Sequence, residues 1–186
     1  MLHELRTERL LLRPWRESDR DAFARMNADP RVMEFFPALM TREETDASVD
    51  RAFAHFARYG YGYWAVELPG QADFIGFIGL CHPTIETHFT PCVEVGWRLA
   101  CEHWGRGYAT EGALAALRFG FETLNFDEIV SYTTTANLRS RNVMEKIGMI
   151  RDMAGDFDHP RVPDGNRVKR HVLYRKRRSG GHLSQA

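Results

Sequence analysis

Seven segments of the chain alternate apolar and polar residues or are rich in β-branched and aromatic residues, which predicts β-strands. They cover residues 7–13, 61–68, 73–80, 93–99, 127–135, 149–157 and 168–176. Pro69-Gly70 separates the second segment from the third and predicts that these two form a hairpin. Gly76 and Gly79, inside the third segment, indicate a bulge or a close approach of another part of the chain.

Two helices are predicted between the first and second strands. Ser18 and Asp21 have the spacing of a capping box and predict a helix that follows them. Thr41 and Glu44 have the same spacing and predict a second helix, which Gly60 ends.

Two further helices are predicted in the second half of the chain. One begins at Thr110, and its apolar face is spaced three, four and three residues apart, at Leu114, Leu117, Phe121 and Leu124. The other begins at Asn137 and ends at Gly148. The helix at Thr110 lies between two predicted strands, so these strands should run parallel.

The segment 93–110 combines a strand, a glycine-rich loop and the start of a helix, which together predict an anion site. Glycine allows close approach of the backbone, and the first amides of the helix point at one spot with the helix dipole behind them. The expected guest is a phosphate or pyrophosphate. The dinucleotide fingerprint is not met, because Thr110 stands where its third glycine would be, and no Gly-Lys-Ser/Thr of a P-loop follows.

The run Gly105-Arg106-Gly107-Tyr108-Ala109-Thr110-Glu111 closely resembles the pyrophosphate loop of the GNAT N-acetyltransferases. Residues 137–149, NLRSRNVMEKIGM, resemble the second signature of that family, and the two occur in the expected order. The opening TERLLLRPWRESDRDAFARMNADPRVMEFFP, and Trp104 before the loop, are similar to the RimJ/RimL-like branch, the ribosomal-protein N-acetyltransferases.

This resemblance implies the fold and the general activity. The expected fold class is α+β, a GNAT acyl-CoA N-acyltransferase fold with a mixed, mostly antiparallel sheet of about seven strands and about four helices. It would occupy residues 1–178 as one domain, followed by a flexible tail, 179–186. The expected activity is direct transfer of the acetyl group of acetyl-CoA to a primary amine, without a metal and without a covalent intermediate.

The resemblance also assigns residues that would bind acetyl-CoA. The backbone at Trp97, Arg98 and Leu99 would pair with the pantetheine arm, and one of its N–H groups would polarise the thioester oxygen. Amides of the loop would hold the pyrophosphate, namely those of Trp104, Gly105, Arg106, Gly107, Tyr108, Ala109 and Thr110. Asn137, Asn142 and Lys146 would contact other polar groups of the cofactor.

Two residues are candidates for proton transfer. Glu94 matches a position where many relatives place the base that deprotonates the amine, although an ion pair with an arginine on the sheet face explains it equally well. Many relatives use a tyrosine on the last helix to protonate the thiolate, and Met144 stands there in this chain. Ser140 is the nearest hydroxyl, and it matches a serine that the RimL-like branch uses.

Composition narrows the choice of partners and compartment. Twenty-five basic and 25 acidic residues give a formal net charge of +0, so bulk charge does not support nucleic-acid binding. No apolar run is long enough for a membrane span, and the N-terminus lacks the pattern of a signal peptide. Cys81, Cys92 and Cys101 include no Cys-x-x-Cys pair, which favours reduced cysteines in a cytoplasmic protein. The expected assembly is a monomer or a homodimer.

The sequence leaves the acceptor and some rival functions open. The family branch favours a protein N-terminus, and a small-molecule amine is the nearest alternative within the enzyme class. The loss of the tyrosine also allows a CoA-binding sensor or interaction module without turnover. A nucleotide-dependent oxidoreductase would bind NAD instead, and Thr110 argues against it.

Overall fold

The computed structural model describes residues 2–178, and its elements follow the predicted order. Its strands are β1 Leu5–Arg6, β2 Leu11–Arg13, β3 Tyr63–Leu68, β4 Ala72–Cys81, β5 Glu94–Leu99, β6 Glu128–Thr134, β7 Ile150–Asp158 and β8 Arg170–Arg177. Its α-helices are α1 Asp19–Asn27, α2 Arg42–Tyr59, α3 Tyr108–Arg118 and α4 Leu138–Lys146. A 3₁₀ turn, Cys101–His103, precedes α3, and a π-helical turn, Phe119–Thr123, continues it. The predicted tail, 179–186, lies outside the described residues.

All eight strands form one sheet, in the order β1-β2-β3-β4-β5-β6-β8-β7. Every neighbouring pair is antiparallel except β5 and β6, which are parallel because α3 crosses between them. The predicted α+β class and the mixed, mostly antiparallel sheet are therefore confirmed. The sheet has one strand more than the seven segments predict.

The extra strand, β1, lies before the segment 7–13, and only residues 11–13 of that segment form a strand. Thr7 N donates to Leu10 O at 3.0 Å, and Leu10 N donates to Thr7 Oγ1 at 2.9 Å. A threonine hydroxyl that bonds the local backbone in this way competes with the strand ladder. The chain therefore turns at residues 7–10, and β1 pairs antiparallel with β2, with Leu5 opposite Leu12.

The capping box predicted for α2 is confirmed. Thr41 Oγ1 accepts a hydrogen bond from Glu44 N, and the Glu44 carboxylate accepts one from Thr41 N. Gly60 follows the helix with φ of 76°, a left-handed conformation that ends the helix.

The capping box predicted at Ser18 and Asp21 is wrong. Ser18 has helical backbone angles, and its side chain makes no capping hydrogen bond. The neighbouring Asp19 instead accepts from Arg16 N at 2.8 Å and binds both terminal nitrogens of Arg13, at 2.8 and 2.9 Å. Arg13 and Asp19 are 1% and 2% exposed. This buried ion pair fastens the start of α1 to β2.

The start and the predicted apolar face of α3 need correction. The helix begins at Tyr108, two residues before Thr110. Leu114 is 42% exposed, whereas Leu117 is 2% exposed and Phe121 and Leu124, beyond the end of α3, pack against the core. Three of the five buried residues of the helix are small, namely Gly112, Ala113 and Ala116. A Cβ on Gly112 would lie 2.5 Å from Ile78 Cδ1. Small residues therefore bring α3 close to β4, and of the four residues of the predicted apolar face only Leu114 is exposed.

One large apolar cluster joins the sheet to the helices, and its fully buried members include Leu12, Val49, Trp64, Ile78 and Ala113. Within residues 2–178, no helix combines the length and the apolar character that crossing a membrane requires.

Candidate active site

The centre of the sheet contains a cleft between β5 and β6. All six residues of β5 pair with β4 on one side. On the other side, β5 and β6 share a single register pair, Glu94 with Val130, next to the bond from Val130 N to Val93 O at 2.9 Å. Beyond Glu94, the edge of β5 at Trp97–Leu99 therefore has no strand partner in the described part of the chain.

The glycine-rich loop leads from this cleft to the start of α3. Gly105 and Gly107 have φ of 72° and 82°, a region that other residues rarely adopt. Gly107 is the N-cap of α3, and no side chain caps the helix. The first amides of α3, at Tyr108, Ala109 and Thr110, have no partner within the helix and lie along the cleft, where they can hold an anion.

Hydrogen bonds at Trp104 and Arg106 hold the loop in place. Trp104 Nε1 donates to Leu99 O at 2.8 Å, so the indole ties the loop to the end of β5. Arg106 does not line the cavity, and its carbonyl accepts a hydrogen bond from Arg9 Nη1 at 2.9 Å. Arg9 also pairs with Glu111 in the first turn of α3, so the N-terminal hairpin braces the loop.

Helix α4 forms the opposite wall of the cleft. Asn137, Ser140, Asn142 and Lys146 all line the cavity, as the sequence predicts for a shared site. Asn137 caps the helix: its Oδ1 accepts from Ser140 N, and its Nδ2 donates to Ser140 Oγ and to Thr133 Oγ1. The Ser140 hydroxyl is therefore held in place by its hydrogen bond from Asn137 at the start of the helix.

Of two other residues of α4, Met144 lines the cavity and Arg141 does not. Met144, at the position where the resemblance to the family implies a tyrosine, is 1% exposed and lines the same cavity. Arg141 is not part of the lining, because it donates to Thr135 O at 3.0 Å and to the Tyr174 hydroxyl at 3.4 Å.

Glu94 lies at the point where the cleft closes. No arginine or lysine nitrogen lies within 4 Å of it among residues 2–178, so the ion pair considered from the sequence is not formed. Burial raises the pKa of Glu94 to about 7, although hydrogen bonding from Tyr132, Tyr63 and Cys81 opposes this rise. A carboxylate with such a pKa can accept a proton near neutral pH.

Tyr63 and Tyr132 were not predicted as a pair that faces Glu94. Burial raises the pKa of both phenols, so they stay protonated near neutral pH and keep a hydrogen to donate. Tyr63 reaches this position across the sheet, because Tyr63 is opposite Gly79 and Gly79 is opposite Gly96. A Cβ on Gly96 would lie 2.8 Å from the Tyr63 hydroxyl. In the sequence, this close approach could have been inferred from glycines on two neighbouring strands, Gly79 on β4 and Gly96 on β5.

The cleft and the space around Glu94 form one cavity of about 690 Å³. This volume is within the range of small-molecule sites, about 300–1,000 Å³. Beyond Glu94 the cavity is lined by Tyr63, Phe77 and Arg98, and by the aromatic residues Phe35 and Phe36 of the loop before α2. Among residues 2–178, no group of three or more His, Cys, Asp or Glu side chains is placed to hold a metal.

Comparison with known proteins identifies this arrangement. Residues 9–150 match the family model described as Acetyltransferase (GNAT) domain. The chain is 32% identical over 147 residues to the uncharacterized protein YkkB of Bacillus subtilis, which covers 78% of this chain and 84% of YkkB. It is 33% identical over 153 residues to the FsC-acetyl coenzyme A-N(2)-transacetylase of Aspergillus fumigatus, covering 78% of this chain and 64% of that protein.

A solved structure with the same fold is the acetyltransferase of Agrobacterium tumefaciens. It superposes with a TM-score of 0.76 at 33% identity, over 95% of this chain and 95% of that one.

Proposed function

The chain belongs to the GNAT acetyltransferase family and is an acetyl-CoA-dependent N-acetyltransferase, and we propose that its acceptor is the α-amine of a protein N-terminus. The observation that carries the proposed site is one continuous cavity. In it, the unpaired edge of β5 and the first amides of α3 meet the carboxylate of Glu94.

The cleft would bind acetyl-CoA with backbone groups more than with side chains. We assign the pantetheine arm to the free edge of β5 at Trp97–Leu99, because an extended chain there can take up strand-like hydrogen bonds. The pyrophosphate would lie against the amides from Trp104 to Thr110. Asn142 and Lys146, on the wall formed by α4, would contact other polar groups of the cofactor.

The acetyl thioester supplies an already activated carbonyl. The amine nitrogen attacks this carbon, a C–N bond forms, and the proton of the amine moves to Glu94. A backbone N–H at the edge of β5 stabilises the oxyanion. The C–S bond then breaks, and the CoA thiolate leaves with the Ser140 hydroxyl as its hydrogen-bond donor. Positioning of the two reactants supplies a large part of the rate.

A protein N-terminus is favoured by the similarity to the RimJ/RimL-like branch and by the mouth of the cavity. Phe36, which lines the cavity from the loop before α2, is 37% exposed. An exposed apolar side chain at the mouth suits an acceptor that extends beyond the cavity, as a peptide does.

A small-molecule amine is the second candidate acceptor. It is favoured by the 33% identity to the FsC-acetyl coenzyme A-N(2)-transacetylase. Met144 in place of the usual tyrosine favours a third candidate, a CoA sensor without turnover, and a test for activity separates it from the other two.

The test has two stages with the full chain. Acetyl-CoA and CoA should raise the melting temperature with concentration, and NAD and ATP should not. Thiol release is then measured with peptides that have free N-termini, with the same peptides after N-terminal blocking, and with small amines. Acetylation of free N-termini supports the proposal. Turnover of small amines alone would replace the acceptor, and binding without any turnover would favour the sensor.

A further inference from the structure

Arg98 lies in the acceptor part of the cavity with its side chain fixed by the protein. It is on the same face of β5 as Glu94, four residues further along, which is about 13 Å of strand. Gly96 between them adds no side chain, and Tyr63 occupies the space beside it. Glu94, Gly96 and Arg98 all line the cavity.

The guanidinium group of Arg98 is held in one orientation. Its Nη1 donates to Asn27 Oδ1 at 2.7 Å. Asn27 is 0% exposed and is itself held by Thr45, whose Oγ1 accepts from Asn27 Nδ2 at 3.2 Å. The Cζ atom lies 4.0 Å from the centre of the Phe36 ring and 5.4 Å from that of Phe77. Helices α1 and α2 thus position a cation inside an aromatic pocket.

This cation has no anion beside it in the described part of the chain. Within residues 2–178, no carboxylate oxygen lies within 4 Å of Arg98, and its Nε is buried without a hydrogen-bond partner. The two carboxylates of the loop between α1 and α2 have other partners: Asp29 pairs with Arg31, and Glu34 pairs with Arg139.

Arg98 is half-buried, and its partial burial without a counter-ion is unfavourable. Burial lowers the pKa of its guanidinium to about 10, which is still well above neutral pH, so the group carries its charge. A charge that is partly withdrawn from water without a partner destabilises the folded state, and the buried Nε without an acceptor adds to that cost. A ligand that supplied an anion at this point would offset both effects.

We propose that Arg98 binds a carboxylate of the acceptor, so that the enzyme acetylates amines that carry a carboxylate some distance from the reacting nitrogen. This inference rests on the proposed function, because it takes the cavity beyond Glu94 as the acceptor site. The planar guanidinium matches a carboxylate with two parallel hydrogen bonds. An acidic side chain near a peptide N-terminus and a small amino carboxylate present the same chemistry.

The test compares acceptors in isosteric pairs. One arm uses amidated pentapeptides with a free N-terminus and Glu or Gln at the second, third or fourth position. The other arm uses glycine, 4-aminobutyrate and 6-aminohexanoate with their primary amides. The expected result is that kcat/KM favours the carboxylate of at least one pair by about tenfold or more. Arg98→Met should bring this ratio to about one, and Arg98→Lys should give a value between the two.

Arg139→Met is the matched control, because Arg139 lines the same cavity but is paired with Glu34. This variant should keep the carboxylate preference, whatever its effect on the overall rate. A ratio near one for every pair in the wild type, or a preference that survives in Arg98→Met, would overturn the inference.

A binding measurement covers the cases in which a variant does not fold or no probe is turned over. With CoA present, the carboxylate probes should raise the melting temperature of the wild-type protein more than their amides, and equal shifts would reject the role of Arg98. A preference confined to the small amino carboxylates would support Arg98 and reject the protein N-terminus. Peptides acetylated equally with Glu or Gln would support the protein N-terminus and reject the role of Arg98.

Discussion

The two halves of the cavity differ in the groups that line them: one is lined mainly by backbone and the other mainly by side chains. The half proposed for acetyl-CoA consists mainly of backbone: the free edge of β5, two glycines with positive φ, and the first amides of α3. The half proposed for the acceptor consists of side chains, with Glu94, Tyr63 and Arg98 brought together from β5 and β3 and steadied by α1.

A site made of backbone groups and a site made of side chains should differ in how far they tolerate substitution. A backbone site depends on where glycine occurs and on the course of the chain, so many side chains can vary around it. A side-chain site depends on each residue and on the packing behind it, so the acceptor can change while the cofactor does not. Four substitutions test this contrast, in order of decreasing expected effect.

Glu94→Gln should lower kcat by about 100-fold or more, because the variant cannot accept the proton of the amine. In the wild type, kcat/KM should rise with pH through about 7, since Glu94 must be ionised to act and its pKa is raised to about 7. The variant should lose the part of this rise that comes from Glu94 and keep the part that comes from deprotonation of the amine itself. Thiol release measured over a pH series provides the test.

Stability supplies the control for Glu94→Gln. The folded-state pKa is above the ordinary value of 4.5, so the stability that Glu94 contributes is present below pH 4.5 and lost as the pH rises through 7. Glutamine cannot ionise, and the variant should therefore be more stable than the wild type above pH 7, by up to about 3 kcal/mol. Unchanged kcat in a variant with this stability profile would remove Glu94 as the base.

Asp19→Ala should lower the free energy of unfolding by about 3 kcal/mol or more, because it leaves the buried Arg13 without its main partner. Asp21→Ala is the matched control, since Asp21 is exposed and its pair with Arg42 should be worth less than about 1 kcal/mol. Urea unfolding measures both. Equal losses would mean that the Arg13–Asp19 pair does not anchor α1.

Gly107→Ala should raise the KM for acetyl-CoA by about tenfold, because one or two charge-assisted bonds to the pyrophosphate would be misaligned. It should also cost about 1–2 kcal/mol of stability, since φ is 82° at this position. Gly165→Ala is the control: φ is 76° there, and the glycine lies in the loop between β7 and β8. A rise in KM with both variants would indicate a general loss of structure.

Ser140→Ala should have the smallest effect, a fall in kcat of less than about tenfold, because a thiolate leaves readily without a proton donor. The KM for acetyl-CoA should not change. Ser48→Ala, which removes an exposed hydroxyl from α2, serves as the reference in the same steady-state assay. A loss of about 100-fold or more would instead make Ser140 the general acid.

The loop and helix of the half proposed for acetyl-CoA could be predicted from the sequence, because their conformation depends on neighbouring residues. Gly105 and Gly107 need no distant partner to adopt positive φ, and the helix that follows supplies its own amides. The parallel pairing of β5 and β6 also followed from the order of strand, helix and strand. The capping box at Thr41 and Glu44 was equally local, and the structure confirms it.

The side-chain contacts of the half proposed for the acceptor could not be predicted in the same way. Nothing near Arg98 in the sequence shows that Asn27, 71 residues away, holds its guanidinium. The same holds for Asp19, whose bond with Arg13 displaced the predicted cap at Ser18, and for α3, whose buried face depends on contact with Ile78. In each case a contact between distant elements overrode a local preference.

Local patterns in the sequence were enough to define the fold class, the order of the elements and the loop that opens α3, because periodicity, caps and glycine positions act over a few residues. The folded chain was needed to show that, within residues 2–178, Glu94 has no ionic partner, two tyrosines face it, and Arg98 lies half-buried in the same cavity without a carboxylate. These are properties of charges and hydrogen bonds across the sheet, and they depend on which distant residues the packed chain brings within a few ångströms.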